Sequence, residues 1–254
     1  MPTLNHNHAE IYYETHGQGD PIVLIHGFGL DSRIWQGQVK ELSKTNKIVT
    51  YDLRGFGKSS LPNGQYSHHE DLHELLKHLN IKEAKLVGHS FGGEVAVNFA
   101  LEYPEEVSSL VLISSSLGGI KGDSSEWEIL QELGRQGDVE GIRKRMLANS
   151  AFKDLKGSQK ELIEQIVQDY SGYHFQNKDP REYINSSERL NELSLPIEVV
   201  IGENDEQVQK EIANKFNEEL GVKPRIIPNA GHMVILEEQN TISDIIKGVK
   251  CSIK

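Results

Sequence analysis

Cysteine is almost absent from this sequence, since the one residue is Cys251. A single cysteine excludes a disulfide within the chain and favours a reducing compartment. The N-terminal segment has no basic start followed by an apolar run, so we expect no secretory signal. No apolar stretch approaches the roughly 20 residues that a membrane-spanning helix needs. We therefore expect a cytoplasmic protein that does not cross a membrane.

Basic residues are also scarce. Lys and Arg number 27 against 38 Asp and Glu, which gives a formal net charge of −11. Binding to phosphate backbones and to anionic lipid needs clustered positive charge, so this balance argues against nucleic acid and membrane surfaces as partners. A small molecule is the expected partner, and no feature of the sequence indicates an oligomeric state.

Short apolar runs recur along the chain, separated by segments of helical length such as 67–79 and 91–103. This alternation predicts an α/β protein with a mostly parallel central sheet and helices on both faces. The segment 11–14, ahead of the first buried run, predicts part of an antiparallel entry hairpin. The predicted buried strands are 21–25, 47–51, 84–87, 107–113, 197–201 and 224–227.

One long segment, 117–193, interrupts the alternation of predicted strands and helices, because it contains no buried-strand run. It shows instead several amphipathic helical patterns, at 126–135, 139–147 and 159–168. We predict that it is a helical cap, or lid, inserted over the carboxyl edge of the sheet. The core domain would then comprise residues 1–116 and 194–254.

The strongest chemical motif is Gly88-His89-Ser90-Phe91-Gly92, placed between a predicted strand and a predicted helix. A tight turn of this kind needs small neighbours and exposes the serine hydroxyl above the sheet edge. The pattern G-x-S-x-G alone is weak, and its strand–turn–helix context strengthens it. We predict that Ser90 is a catalytic nucleophile.

A nucleophilic serine needs a base, and the base needs an orienting acid. In hydrolases built around such a turn, the acid and then the histidine follow the serine along the chain. Asp205 comes just after the strand at 197–201, and His232 just after the last strand. Glu203 and Glu206 are competing acids. The other plausible place for the acid, after strand 107–113, holds only serines, so Asp205 is the preferred choice.

The loop His26-Gly27-Phe28-Gly29 follows the first buried strand. Its glycines let the chain bend, so that the Phe28 N–H and the Phe91 N–H can together stabilise an oxyanion. The tentative pocket residues are Trp127, Phe152 and Phe175 from the lid, with Val208 and Met233 beside the catalytic loops.

Other polar motifs are interpreted as structural. Asp52 and Arg54 are expected to brace the loop that follows their strand. His26 and His89 are expected to pack or to bond nearby backbone. The histidine-rich segment 68–73 lacks a third ligand at zinc-like spacing, so we predict no metal and no cofactor.

Five ordered motifs resemble those of α/β-hydrolase superfamily proteins with a helical cap, over about 10–116 and 194–250. The resembling subgroup holds small esterases, enol-lactone hydrolases, C–C bond hydrolases and cofactor-free perhydrolases. Haloalkane dehalogenases and epoxide hydrolases carry Asp where this chain has Ser90, which argues against both activities. The motifs are His26-Gly27-Phe28-Gly29, the stretch from Asp52 to Ser59, Gly88 to Gly93, Gly202-Glu203-Asn204-Asp205 and Gly231-His232.

The residues and the resemblance together imply a carboxylesterase-like serine hydrolase that cleaves an ester-type bond of a small molecule through an acyl-enzyme. One alternative is cleavage of a C–C bond or an enol lactone by the same triad. A second alternative is a ligand receptor or partner-binding protein of this fold with little turnover. The lid carries no motif that identifies the substrate.

Overall fold

The computed structural model describes residues 2–122, 124–176 and 179–250 of the chain. Cys251, on which the expectation of a reducing compartment rests, lies outside the described residues. Among the described residues, no helix is both long and apolar enough to cross a membrane.

Over these described ranges, eight strands form one sheet in the order β1-β2-β4-β3-β5-β6-β7-β8. The first two strands are an antiparallel hairpin, and β2 pairs antiparallel with β4. All other pairings are parallel, which confirms the predicted mostly parallel sheet. The strands are β1 (Thr3–His6), β2 (Ala9–His16), β3 (Pro21–Ile25), β4 (Lys47–Tyr51), β5 (Ala84–His89), β6 (Val107–Ile113), β7 (Ile197–Gly202) and β8 (Arg225–Ile227).

In the part of the chain that the structure describes, six α-helices accompany the sheet. The chain winds outward from β3 to β4 and then returns to the other side of β3 to form β5, so right-handed crossovers put helices on both faces. On one face α1 packs against α10, and on the other α2 packs against α3. These helices are α1 (Gln36–Leu42), α2 (His68–His78), α3 (Phe91–Glu102), α8 (Gln207–Leu220), α9 (Val234–Glu237) and α10 (Gln239–Gly248).

Four further α-helices lie between β6 and β7, where the described residues contain no strand of the sheet. Their bounds follow the three amphipathic patterns closely. Polar contacts tie this segment to the rest of the molecule: Gln159 Nε2 donates to the Leu236 carbonyl (2.5 Å), and Arg33 pairs with Asp169 (2.8 Å). The helices are α4 (Ser125–Arg135), α5 (Val139–Leu147), α6 (Gly157–Asp169) and α7 (Tyr173–Gln176). We propose that they form the cap.

The sheet order determines where a ligand site can lie. Strands β3 and β5 are neighbours, but the chain leaves them in opposite directions, towards β4 and β6 respectively. The loops after such strands separate and leave a crevice at the carboxyl edge of the sheet. These are the loops that contain Phe28 and Ser90.

A buried ion pair joins the loop after β4 to α2. Arg54 and Asp71 are both almost fully buried, and the guanidinium bonds both carboxylate oxygens (Nε–Oδ2 3.0 Å, Nη2–Oδ1 2.5 Å). Arg54 also donates to the carbonyls of Asn7 and His6. Burial raises the pKa of Asp71 in spite of Arg54, so desolvation outweighs the attraction in this pair.

Breaking this pair should destabilise the fold strongly. Asp71→Asn leaves the Arg54 charge buried without its counterion, and we expect a loss of about 3 kcal/mol in the free energy of unfolding, measured by urea titration. The matched control is Asp244→Asn, because Asp244 forms an exposed pair with Lys247 (3.6 Å). A control loss as large as the Asp71 loss would contradict this account of burial.

Candidate active site

Ser90 occupies the turn between β5 and α3. Its backbone has φ 52° and ψ −119°, a conformation that residues other than glycine rarely adopt. Two hydrogen bonds hold it there: the Ser90 N–H donates to the Ile113 carbonyl (3.0 Å), and the Ser116 N–H donates to the Ser90 carbonyl (2.9 Å). The neighbouring strand β6 and its loop therefore clamp the strained turn on both sides.

Glycines flank this turn because no side chain fits. A Cβ at Gly88 would lie 2.3 Å from the Gly92 carbonyl oxygen, and one at Gly92 would lie 2.2 Å from that of Ile25. Both distances are far below van der Waals contact. The Gly-x-Ser-x-Gly spacing is thus required by the close approach of strand, turn and helix.

Asp205 and His232 come together from the loops after β7 and β8. His232 Nδ1 lies 2.9 Å from Asp205 Oδ1, and both side chains are buried or nearly so. A carboxylate can only accept, so Nδ1 carries the proton and Nε2 keeps a free lone pair in the neutral ring. This is the tautomer that a general base needs.

Asp205 is held as a carboxylate. Burial alone would raise the pKa of Asp205, but hydrogen bonds and the charge interaction with His232 outweigh it, and the pKa is lowered. The Glu206 N–H also donates to Oδ1 (2.9 Å). The hydroxyl of Ser114, the first residue after β6, also contributes to lowering the pKa of Asp205.

The two competing carboxylates have other contacts. Glu203 is exposed and accepts from the Asn229 N–H (2.9 Å). Glu206 accepts from the hydroxyl of Ser150 in the cap segment (3.1 Å). Among the described residues, Asp205 is therefore the carboxylate that bonds His232.

The Phe28 loop lies directly beside Ser90. A Cβ added at Gly27 would lie 3.2 Å from the Ser90 Cβ. His26 fixes this loop, because its Nδ1 donates to the Gly27 carbonyl (2.8 Å) and its Nε2 accepts from the Leu53 N–H (2.9 Å). Within the described part of the chain, the Phe28 N–H has no hydrogen-bond acceptor.

Phe91 is the first residue of α3, so its N–H has no acceptor within the helix. Its side chain turns away from the cavity beside Ser90. The ring packs edge-on against His68, and the Arg181 guanidinium lies 4.5 Å from the ring centroid. Only the backbone of Phe91 can therefore serve a ligand at Ser90.

A cavity of about 270 Å³ contains Ser90 and His232 in its wall. Four of the five tentative pocket residues line it: Trp127, Phe152, Phe175 and Met233. Val208, the fifth, is not among the residues that line this cavity. Successive helical residues point about 100° apart, and it is Gln209 that faces the cavity, whereas Val208 packs beside Gly122. A larger groove near Tyr12 and Lys58, about 750 Å³, contains none of the candidate catalytic residues.

The structural interpretations of the other polar motifs agree with the contacts. Asp52 accepts from the N–H groups of Ser32 and Lys58, both at 2.8 Å, and so braces its loop. In the histidine-rich helix α2, His73 stacks on Tyr103 (centroids 4.1 Å apart). Within the described ranges, no group of three or more His, Cys, Asp or Glu side chains is placed to hold a metal ion.

His89, next to Ser90 in the chain, is fully buried and hydrogen-bonds the backbone of the His232 loop. Its Nε2 lies 3.0 Å from the His232 carbonyl oxygen, which can only accept, so Nε2 carries a proton. Burial lowers the pKa of His89 to about 3. The neutral ring therefore connects the Ser90 turn to the His232 loop without adding charge to the site.

Comparison with known proteins gives the family. The model of the α/β hydrolase fold family matches residues 20–165, more than half of the chain, so this chain belongs to that family. The sequence is 37% identical over 111 residues to a pimeloyl-(acyl-carrier protein) methyl ester esterase of Aliivibrio fischeri, a match covering 42% of this chain and 41% of the esterase. The chain spans less than half the length of the curated relatives it matches first, from 37% to 44%.

Solved structures resemble the whole chain. A thermophilic esterase from Thermogutta terrifontis superposes with a TM-score of 0.79 at 25% identity, over 94% of this chain and 92% of the esterase. An enzyme that degrades N-acyl homoserine lactones also gives 0.79 at 25% identity, over 97% and 99% respectively. The predicted family and fold are confirmed.

The buried histidines predict a specific pH dependence of stability. Unfolded His89 takes up a proton near its ordinary pKa of 6.5, which the folded ring does not do until about pH 3. The stability that the neutral, buried His89 contributes should therefore be fully present above about pH 6.5 and be lost as the pH drops towards 3. His26, His68 and His174, whose pKa values burial also lowers, act in the same direction.

His89→Gln should reduce this loss by roughly 1–3 kcal/mol between neutral pH and about pH 4, as measured by urea unfolding across the range. The control is His16→Gln at a more exposed histidine, for which the loss should equal that of the wild type. An unchanged loss in His89→Gln would show that this ring is protonated in the folded protein.

Proposed function

We propose that this protein is a carboxylesterase-like serine hydrolase that uses Ser90, His232 and Asp205 on small-molecule esters. The observation that carries the proposal is that His232, which is paired with Asp205, lines the same cavity as Ser90 at its strained turn. The esterase likenesses support hydrolysis of this kind. A cavity of about 270 Å³ suits a short acyl or alcohol group.

In the first half-reaction, His232 Nε2 accepts the proton of the Ser90 hydroxyl as the oxygen attacks the ester carbonyl. The Ser90–carbon bond forms and the carbonyl oxygen becomes an oxyanion, which the Phe28 and Phe91 N–H groups stabilise. Asp205 stabilises the imidazolium of His232. The imidazolium then protonates the alcohol, which leaves as the carbon–oxygen bond breaks.

In the second half-reaction, water replaces the alcohol. His232 removes a proton from the water as its oxygen attacks the acyl-enzyme, and then returns the proton to Ser90 as the acid is released. The protein's own groups supply every proton transfer in this scheme, and it includes no metal or cofactor.

A lactone is the second candidate substrate. The structural likeness to an enzyme that degrades N-acyl homoserine lactones favours it over the C–C bond alternative. Ser90 would attack the ring carbonyl in the same way, and the released alcohol would remain attached to the acyl group. Open-chain and cyclic esters assayed side by side distinguish the two substrate classes.

Ser90→Ala should lower kcat for p-nitrophenyl esters at least about a thousandfold, because the group that forms the acyl-enzyme is lost. A series of esters of rising chain length would report the depth of the cavity at the same time. Ser116→Ala is the matched control, since Ser116 bonds the turn through its backbone. Wild-type esterase rates in Ser90→Ala would refute the proposal.

Asp205→Asn should lower kcat by up to about 10⁴-fold, because an amide stabilises the wrong tautomer of His232 and no longer balances the imidazolium. Glu203→Gln is the control, since in the described structure the Glu203 side chain accepts a hydrogen bond from the backbone N–H of Asn229 and not from His232. We expect Glu203→Gln to stay within about twofold of the wild type. Equal losses of kcat in Asp205→Asn and Glu203→Gln would contradict the assignment of Asp205 as the acid.

A further inference from the structure

Gln209 is an unexplained polar group in the wall of the candidate active-site cavity. It lies in the first turn of α8, four residues after Asp205, and is only 6% exposed. Its Oε1 is buried and has no hydrogen-bond partner within the described residues. The oxygen end of this amide is thus left unpaired in the same cavity wall as Ser90.

The cavity wall contains other polar side chains besides the proposed triad and His89. These side chains already have hydrogen-bond partners. Arg145 donates two hydrogen bonds to Glu126, at 2.8 and 2.5 Å. Asn149 Oδ1 accepts from the Ala151 N–H (2.8 Å), and Glu206 accepts from Ser150. Gln209 differs from these neighbours in that its buried side-chain oxygen has no partner among the described residues.

The surroundings of Gln209 make an unpaired amide costly. The same cavity is lined by apolar side chains, among them Leu130, Met146 and Phe152. A polar group that is removed from water without a partner is unfavourable, so a ligand that supplies the partner gains affinity. An amide offers one donor end and one acceptor end, and rotation about its terminal bond exchanges them. The complementary ligand group is a hydroxyl or an amide, since each can donate a hydrogen bond to the unpaired oxygen.

We propose that Gln209 determines specificity by binding a hydroxyl or amide group of the substrate, so that the preferred esters carry a second polar group besides the scissile one. The inference rests on the proposed hydrolase function and adds the substrate class to it. Gln209 acts by binding and takes no part in the proton transfers. A plain alkyl ester leaves the amide unpaired and is therefore the poorer substrate.

The test compares matched esters in wild type and in Gln209→Met, which keeps the length of the side chain and removes the amide. One pair is p-nitrophenyl butyrate and p-nitrophenyl hydroxybutyrate, and the other is propyl and hydroxyethyl butyrate, so that the acyl and alcohol sides are both probed. The wild type should favour the hydroxyl-bearing member of at least one pair by about tenfold in kcat/KM. Gln209→Met should lose this preference while it still hydrolyses the plain esters.

Gln207→Met is the matched control, because Gln207 lies exposed on the same helix and bonds Glu211. It should retain the wild-type preference. Equal rates on both members of each pair in the wild type, or a preference that survives Gln209→Met, would overturn the inference. If the hydrolase proposal itself is wrong, the result will differ, because none of the four esters will then show Ser90-dependent turnover.

Discussion

The close approach of the Ser90 turn to the end of β3 is the contact on which the rest of the site depends. The backbone of Gly92 lies so near the Ile25 carbonyl that even a methyl group would collide. This contact places the start of α3 beside the loop that contains Phe28. The strain at Ser90 costs of order 1–3 kcal/mol, which the buried parallel strands on either side offset.

A second close approach brings His232 and Asp205 together. A Cβ at Gly202 would lie 2.4 Å from the carbonyl oxygens of both Ala230 and Gly231, so only glycine lets the loops after β7 and β8 touch. The Asn204 N–H donates to the Ala230 carbonyl across this contact (2.8 Å). The distance between Asp205 and His232 is thus set by backbone, which varies less than side-chain packing.

Much of this arrangement could be predicted from the sequence, for a physical reason. Strands buried on both faces are continuous apolar runs, so 21–25, 47–51 and 107–113 were predicted with the bounds that the structure has. Contacts between distant segments could not be predicted in this way. Arg54 pairs with Asp71, 17 residues away, and not with its neighbour Asp52. From the sequence, Val208 and not Gln209 was predicted to line the cavity, because a shift of one residue along a helix changes which side chain faces it.

The central claim is that Ser90 is the activated nucleophile, and covalent trapping tests it most directly. Folded wild-type protein would be treated with a fluorophosphonate, and the intact mass and the modified peptide would be measured by mass spectrometry. The account predicts one adduct per chain, on Ser90, with labelling strongly slowed in a variant that lacks His232. An unmodified Ser90 in the folded protein, or an adduct on another residue, would contradict it.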